Sequence, residues 1–352
     1  MLGLDVLGRV AVRRRGASRL VGGVLGMVTA GLWLVASVAA HGIAPVEPPS
    51  AGSILLGWTF PPLPTLGILA VTVWWIWAVR RVNAVHPSNR VPRQRSVAFL
   101  SGMLALAFAV ASGIEHYDTT LFSVHMVQHV LLMLVAAPLI ALGAPITLVL
   151  RLSSSETRKR WVLPVLHSRV VSFLAHPVVA WIMFAAMMWG THFSALFNAS
   201  LEDPVVHDLE HALFLTGALL FWWPAVALDP APHRMTHPVR IVYLFLQMTQ
   251  NTFLAVAILN ATTVLYAHYA TLVIPWGSSA LEDQRLAAGF MWIAGDAVFL
   301  IAILAVVAGW MKAEARNTVR EDRRADIEMA QIRLRERNLA DRLADERGET
   351  RR

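Results

Sequence analysis

The chain contains no cysteine, which removes disulfides, thiolate zinc sites and thiol redox chemistry together. Charge is also scarce: Asp, Glu, Lys and Arg make up 15% of 352 residues, against 56% apolar residues, a balance that excludes an ordinary soluble globule. No glycine-rich phosphate cradle is present, since Gly22-Gly23 stands inside an apolar run, and no nucleophile-and-base arrangement is recognisable. A non-enzymatic role is therefore expected. The net charge of +7 would suggest nucleic acid in a soluble chain. Here the arginines fall in alternate loops and a polar tail, where they read as orientation signals in a lipid bilayer, and no nucleic-acid partner is expected. Any metal must be held by His, Met, carboxylate or backbone oxygen.

What the chain does have is apolar runs close to the ~20 residues that cross a hydrocarbon layer. Arg9, Arg13, Arg14, Arg15 and Arg19 precede the first, Leu20 to Ala40. It reads equally as a spanning helix and as a secretory signal cleaved after Val38-Ala39-Ala40, which would leave His41 as a new N-terminus able to chelate a metal. Further runs start near residues 65, 96, 122, 171, 207, 241 and 286. The expected fold is all-α: a polytopic transmembrane helical bundle of eight spans, or seven if residues 1–40 are removed. Residues 41–311 form the bundle, and 312–352 a charged tail, expected to be a solvated helix or, through Ile332, Leu339 and Leu343, a partner-binding coiled coil.

The arginine-rich loops alternate with loops carrying Glu47, Glu115, Asp118, Glu202, Asp203, Glu282 and Asp283. The excess of positive charge places the N-terminus, the basic loops and the C-terminal tail in the cytoplasm. Eight of the thirteen histidines then fall at the outer side.

Two pairs stand out among these eight. His125 and His129, in FSVHMVQHVLLMLVAAPLIA, are four apart and share one helix face, which Met133 extends by a turn. His207 and His211, in HDLEHALFLTGALLFWW, repeat the device. If the pairs meet, they offer four imidazoles to one ion, with His116, His192 and His41 as further candidate ligands. Glu115, Asp208 and Glu210 would orient the rings or tune release. Copper accepts imidazole and thioether, and zinc accepts imidazole and carboxylate. Haem ranks lower, because one haem bridging two helices leaves the second histidine of each pair without a role. The plainer alternatives are interfacial histidines bonded to water and methionines that fill gaps. Asp296, deep in the last run, needs a proton or a partner, and Gln247 and Asn251 could supply hydrogen bonds to it.

The strings HMVQHVLLMLVAAPLIALGAPITLVLR, HDLEHALFLTGALLFWWP, NATTVLYAHYA and DQRLAAGFMWIAGD, in this order, resemble the polytopic CtaG family of cytochrome c oxidase assembly proteins over roughly residues 41–311. The resemblance implies an accessory protein of a bacterial plasma membrane that assists maturation of a haem-copper oxidase by supplying copper from the outer side. Its implied partners are oxidase subunits and a periplasmic or extracellular copper donor. The rival readings are a metal or proton-coupled transporter using Asp296 with the histidines as a relay, and a scaffold that only docks oxidase subunits.

Overall fold

The computed structural model describes residues 47–277 and 279–346, and His41 and the first apolar run lie outside them. Among the described residues six helices are long and apolar enough to cross a membrane, or seven if one bent pair counts as a single span. We number the seven α1 (Pro62–Val85), α2 (Arg93–Tyr117), α3 (Phe122–Leu152), α4 (Pro177–His192), α5 (Pro204–Val226), α6 (His237–Leu259) and α7 (Ala280–Glu346). α4 is the short one. It forms the bent pair with Ala195–Glu202, at 70°, so the run expected from residue 171 is a 16-residue helix preceded by a separate turn of helix, Arg169–Leu174.

Proline marks where these helices begin. Pro62, Pro145, Pro177, Pro204 and Pro238 all sit in a first turn, where the missing N–H would have had no partner in any case. Inside a helix proline has a different effect, and α3 shows it. Pro138 cannot donate, and its ring crowds the carbonyl four residues back. The helix widens to π geometry over Leu131–Ala136, and the Ala137 N–H reaches Leu132 O. In that register the carbonyl of Met133 would need the N–H of residue 138, which does not exist. The indole Nε1 of Trp222 on α5 donates to it instead, at 2.9 Å. A freed backbone acceptor thus becomes an interhelical bond, as an environment without water requires.

α3 ends its first course at Gly143 and turns through Ala144, whose φ of 57° is left-handed. The following segment, Pro145–Leu152, is held from a distance: the Asp229 carboxylate accepts from Ile146 N at 3.0 Å and from Thr147 N and Oγ1, both at 2.6 Å. Burial raises the carboxyl pKa of Asp229 while these donors pull it down.

The core runs along α2, α3, α5 and α6. Trp75 stacks on Phe99 at 3.7 Å between ring centres, and Phe221 sits between Phe184, Tyr243 and Phe299. Gly102 lets α2 approach α3 closely, because a Cβ there would come within 2.9 Å of Ile140 N; small residues at such crossings are the usual device between membrane helices. Leu66, Leu69 and Val73 on α1 and Phe245, Leu246 and Phe253 on α6 face outward, as a lipid-facing surface requires.

The chain divides into two compact units at Leu300 and Ile301. The second is helix through Glu346 and is exposed almost throughout, including Ile332, Leu339 and Leu343.

Candidate metal centre

α3 has no side-chain cap of its own: Leu121 stands at the N-cap position, and leucine has nothing to offer the first N–H groups. The cap comes from α7. Asp283 accepts from Ser123 N at 3.1 Å through one carboxylate oxygen and from Ser123 Oγ through the other. The next residue, Gln284, accepts from Leu265 N at 2.8 Å and donates to Thr263 O at 3.3 Å. From that loop Tyr269 Oη donates to Asp118 O at 2.6 Å, and His268 Nε2 meets Thr119 O at 2.8 Å. α5 is capped locally by Asp203, whose side chain accepts from Val205 N and Val206 N. The starts of α3 and α5 are therefore both fixed, and the first histidine of each pair lies within a turn of its fixed end.

With those ends held, the two pairs face each other. Ring centres are 4.2 Å apart within each pair, and 5.5 Å for His125 to His207 and 5.9 Å for His129 to His211 between helices. All four rings are buried, His125 completely. Neither nitrogen of His125 or of His129 makes a hydrogen bond, and orphaned buried polar groups cost roughly 1–3 kcal/mol each. A ring nitrogen with a free lone pair, dehydrated and aimed at other donors, is the form in which imidazole binds a metal.

Carboxylates complete the arrangement. Three groups have ligand atoms all within 4.8 Å of one another: Glu115 with His207 and His211, Asp118 with His125 and His207, and His125 with His129 and Glu210. His207 Nε2 lies 3.5 Å from Asp118 Oδ2, and His125 Nε2 lies 4.0 Å from Glu210 Oε2. Burial pushes the Asp118 carboxyl well above the usual carboxylate range. Gln128, one position before His129, donates to Glu115 Oε2 at 2.6 Å and to Ala109 O at 3.0 Å, fixing one of the acids against α2. Two imidazoles and a carboxylate form a donor set that fits zinc or another divalent first-row ion, so these residues suit a metal.

The other expected residues are distributed differently. His192 is buried beside the cluster: its Nδ1 lies 2.7 Å from Met188 O, which makes it the protonated nitrogen, and its Nε2 makes no hydrogen bond. His192, Met133 and His129 border one small cavity together with Met126, Met188 and Asn251. His116 is exposed, its ring against Tyr117, and Asp208, half-buried on α5, is outside the three groups. Asp296 is also outside them; it accepts from Thr252 Oγ1 at 2.7 Å and from Asn251 Nδ2 at 3.3 Å, whereas Gln247 pairs with Gln250.

Sequence reasoning passed over Asp118 as a candidate ligand, and Asp283, Gln284 and Gln128 as supports. The signal for the first was its spacing of three from Glu115 in an acidic connection. For Asp283 and Gln284 it was only their presence in the DQRLAAGFMWIAGD string.

The model of the cytochrome c oxidase caa3 assembly factor family matches residues 73–313, more than half of the chain. The chain belongs to that family. An uncharacterized protein of Mycobacterium bovis and one of Mycobacterium tuberculosis are each 32% identical to this assembly-factor family member over 291 residues, covering 81% of this chain and 44% of each relative. One from Mycobacterium leprae is 31% identical over 287 residues, covering 80% of this chain and 43% of its own length. The chain thus spans less than half the length of these curated relatives. No solved structure matches it. The family match includes the four central histidines, all three carboxylates grouped with them, and Asp283.

Proposed function

We propose that this protein is a non-catalytic assembly factor for a haem-copper cytochrome c oxidase, that it binds copper at the four-imidazole cluster, and that it passes the ion to an oxidase subunit. The observation that carries the reading is the pair of orphaned, fully buried imidazoles on α3 facing a second pair on α5. Such a cluster is costly when empty and is relieved by an ion. A metal ion is favoured over haem because both histidines of each pair belong to one cluster. The arginine distribution supports an extracytoplasmic position for this end of the bundle, where a periplasmic or extracellular donor would load it and lipid would enclose the remainder. Release follows from proton competition, because bound imidazoles must be neutral.

A second reading, a metal or proton-coupled transporter, draws on the small cavity that joins His129 to Asn251, since Asn251 in turn bonds Asp296. The test is copper content and flux measured together. Purified protein should carry copper that is lost from the variant with His125, His129, His207 and His211 all replaced by alanine, and vesicles containing the protein should show no copper flux. Flux abolished by Asp296→Asn would favour the transporter. Unaltered copper content in the four-histidine variant, with oxidase assembly intact, would leave only a docking scaffold.

A further inference from the structure

The three carboxylate-imidazole groups overlap in a way that bears on how many ions the cluster holds. Glu115–His207–His211 and His125–His129–Glu210 have no residue in common. Asp118–His125–His207 borrows one imidazole from each. A neutral imidazole has one lone pair for a metal, its other nitrogen carrying the proton, so it serves one ion at a time. The two disjoint groups can therefore be filled together, whereas an ion at the Asp118 position withdraws a ligand from both.

We propose that the cluster is a two-ion site, one divalent ion in each disjoint group of two imidazoles and one carboxylate, with the Asp118 group an intermediate position between them. This rests on the metal-binding reading above. Several observations converge on it. Each disjoint group has its own carboxylate, so each ion's charge is partly neutralised where it sits. Each takes both histidines of one helix, so the 4.2 Å ring separation within a pair serves one ion, and the 5.5–5.9 Å separations between helices lie between ions. The donor set has two nitrogens and one oxygen, a harder set than the thioethers beside His129 and suited to a divalent ion. Two-metal sites have ions only about 3.5–4 Å apart, so neighbouring centres at this scale are chemically ordinary. The Asp118 position, sharing a ligand with each neighbour, gives an ion a route across the cluster without leaving protein donors.

The probe is Cu2+ added to the full chain in detergent, with bound copper counted by mass spectrometry and the count for the four-histidine variant subtracted to remove surface binding. Two ions per chain are expected, with an electron paramagnetic resonance spectrum broadened by coupling between neighbouring Cu2+ centres. His211→Ala and His129→Ala should each leave one ion and an uncoupled spectrum, and Asp118→Asn should still hold two while exchanging them more slowly. One ion per chain in the unaltered protein would overturn the two-ion site and leave a single shared centre, and that result needs no variant to fold. Loss of both ions from either single-histidine variant, with its helix content unchanged, would also overturn it. No histidine-dependent copper at all would overturn the metal-binding reading itself, a distinct failure.

Discussion

Among the described residues, histidine rings meet in two places, and the contrast shows what turns contact into a candidate site. At one end of the bundle His125, His129, His207 and His211 lie with ring centres 4.2–5.9 Å apart. At the other, His176 and His233 lie equally close, at 4.7 Å. Proximity is the same, but the surroundings differ. His233 is exposed and its Nε2 already meets Ser172 Oγ at 3.2 Å, and no carboxylate joins the pair among the described residues. Arg234 and Arg240 lie nearby in sequence, a poor setting for a cation. The four-ring cluster is dehydrated and has three carboxylates within ligand reach. Both ends lie near helix starts, where the macrodipole disfavours positive charge, so those carboxylates are what would offset a metal's charge at the first end.

The largest expected effect separates these two places. Replacing the four clustered histidines by alanine should abolish specific copper binding, while His176→Ala with His233→Ala should leave it unchanged; equal losses in the two would erase the distinction. Next is acidity. Protons compete with a metal for imidazole lone pairs, so copper occupancy should fall as the medium is acidified from about pH 7.5, and occupancy unchanged down to the pH at which the protein unfolds would contradict imidazole ligation. A smaller effect concerns Asp283, which caps α3 beside the cluster. Asp283→Ala should weaken copper affinity less than loss of a histidine does, by loosening the start of the helix that carries His125 and His129, and should lower stability by about 1 kcal/mol. Asp229 performs the same capping for Pro145–Leu152 toward the opposite end. Asp229→Ala should lower the melting temperature without changing copper affinity. Trp222→Phe, which leaves Met133 O without its donor, should likewise act on stability alone, costing about 1–3 kcal/mol with copper stoichiometry unchanged.

Much of this architecture could be read in the sequence, because bilayer thickness fixes run length and the α-helix fixes which residues share a face. The apolar runs marked the described spans, and the spacing of four placed each histidine pair on one side of its helix. Periodicity does not say which helices are neighbours, so the meeting of the pairs stood as a condition. The partners at the far end of a tertiary contact were harder still. Asp283 is 160 residues from the Ser123 it caps, and its neighbours in sequence read as a surface loop. Asp118 reaches His207 only because Gly113–Tyr117 adds one short turn of helix before α3 begins. The bend after α4 was illegible for a different reason: Ser194, which caps Ala195–Glu202 by accepting from Leu196 N, is an unremarkable residue until the chain is seen to turn there.

X-ray absorption at the copper edge of the loaded protein tests the central claim most directly, because it reports the atoms bound to the ion. The account predicts a first shell of nitrogen and oxygen with the outer-shell scattering of imidazole rings, lost in the four-histidine variant. A shell of sulfur without imidazole scattering, or an imidazole signal unchanged in that variant, would contradict it.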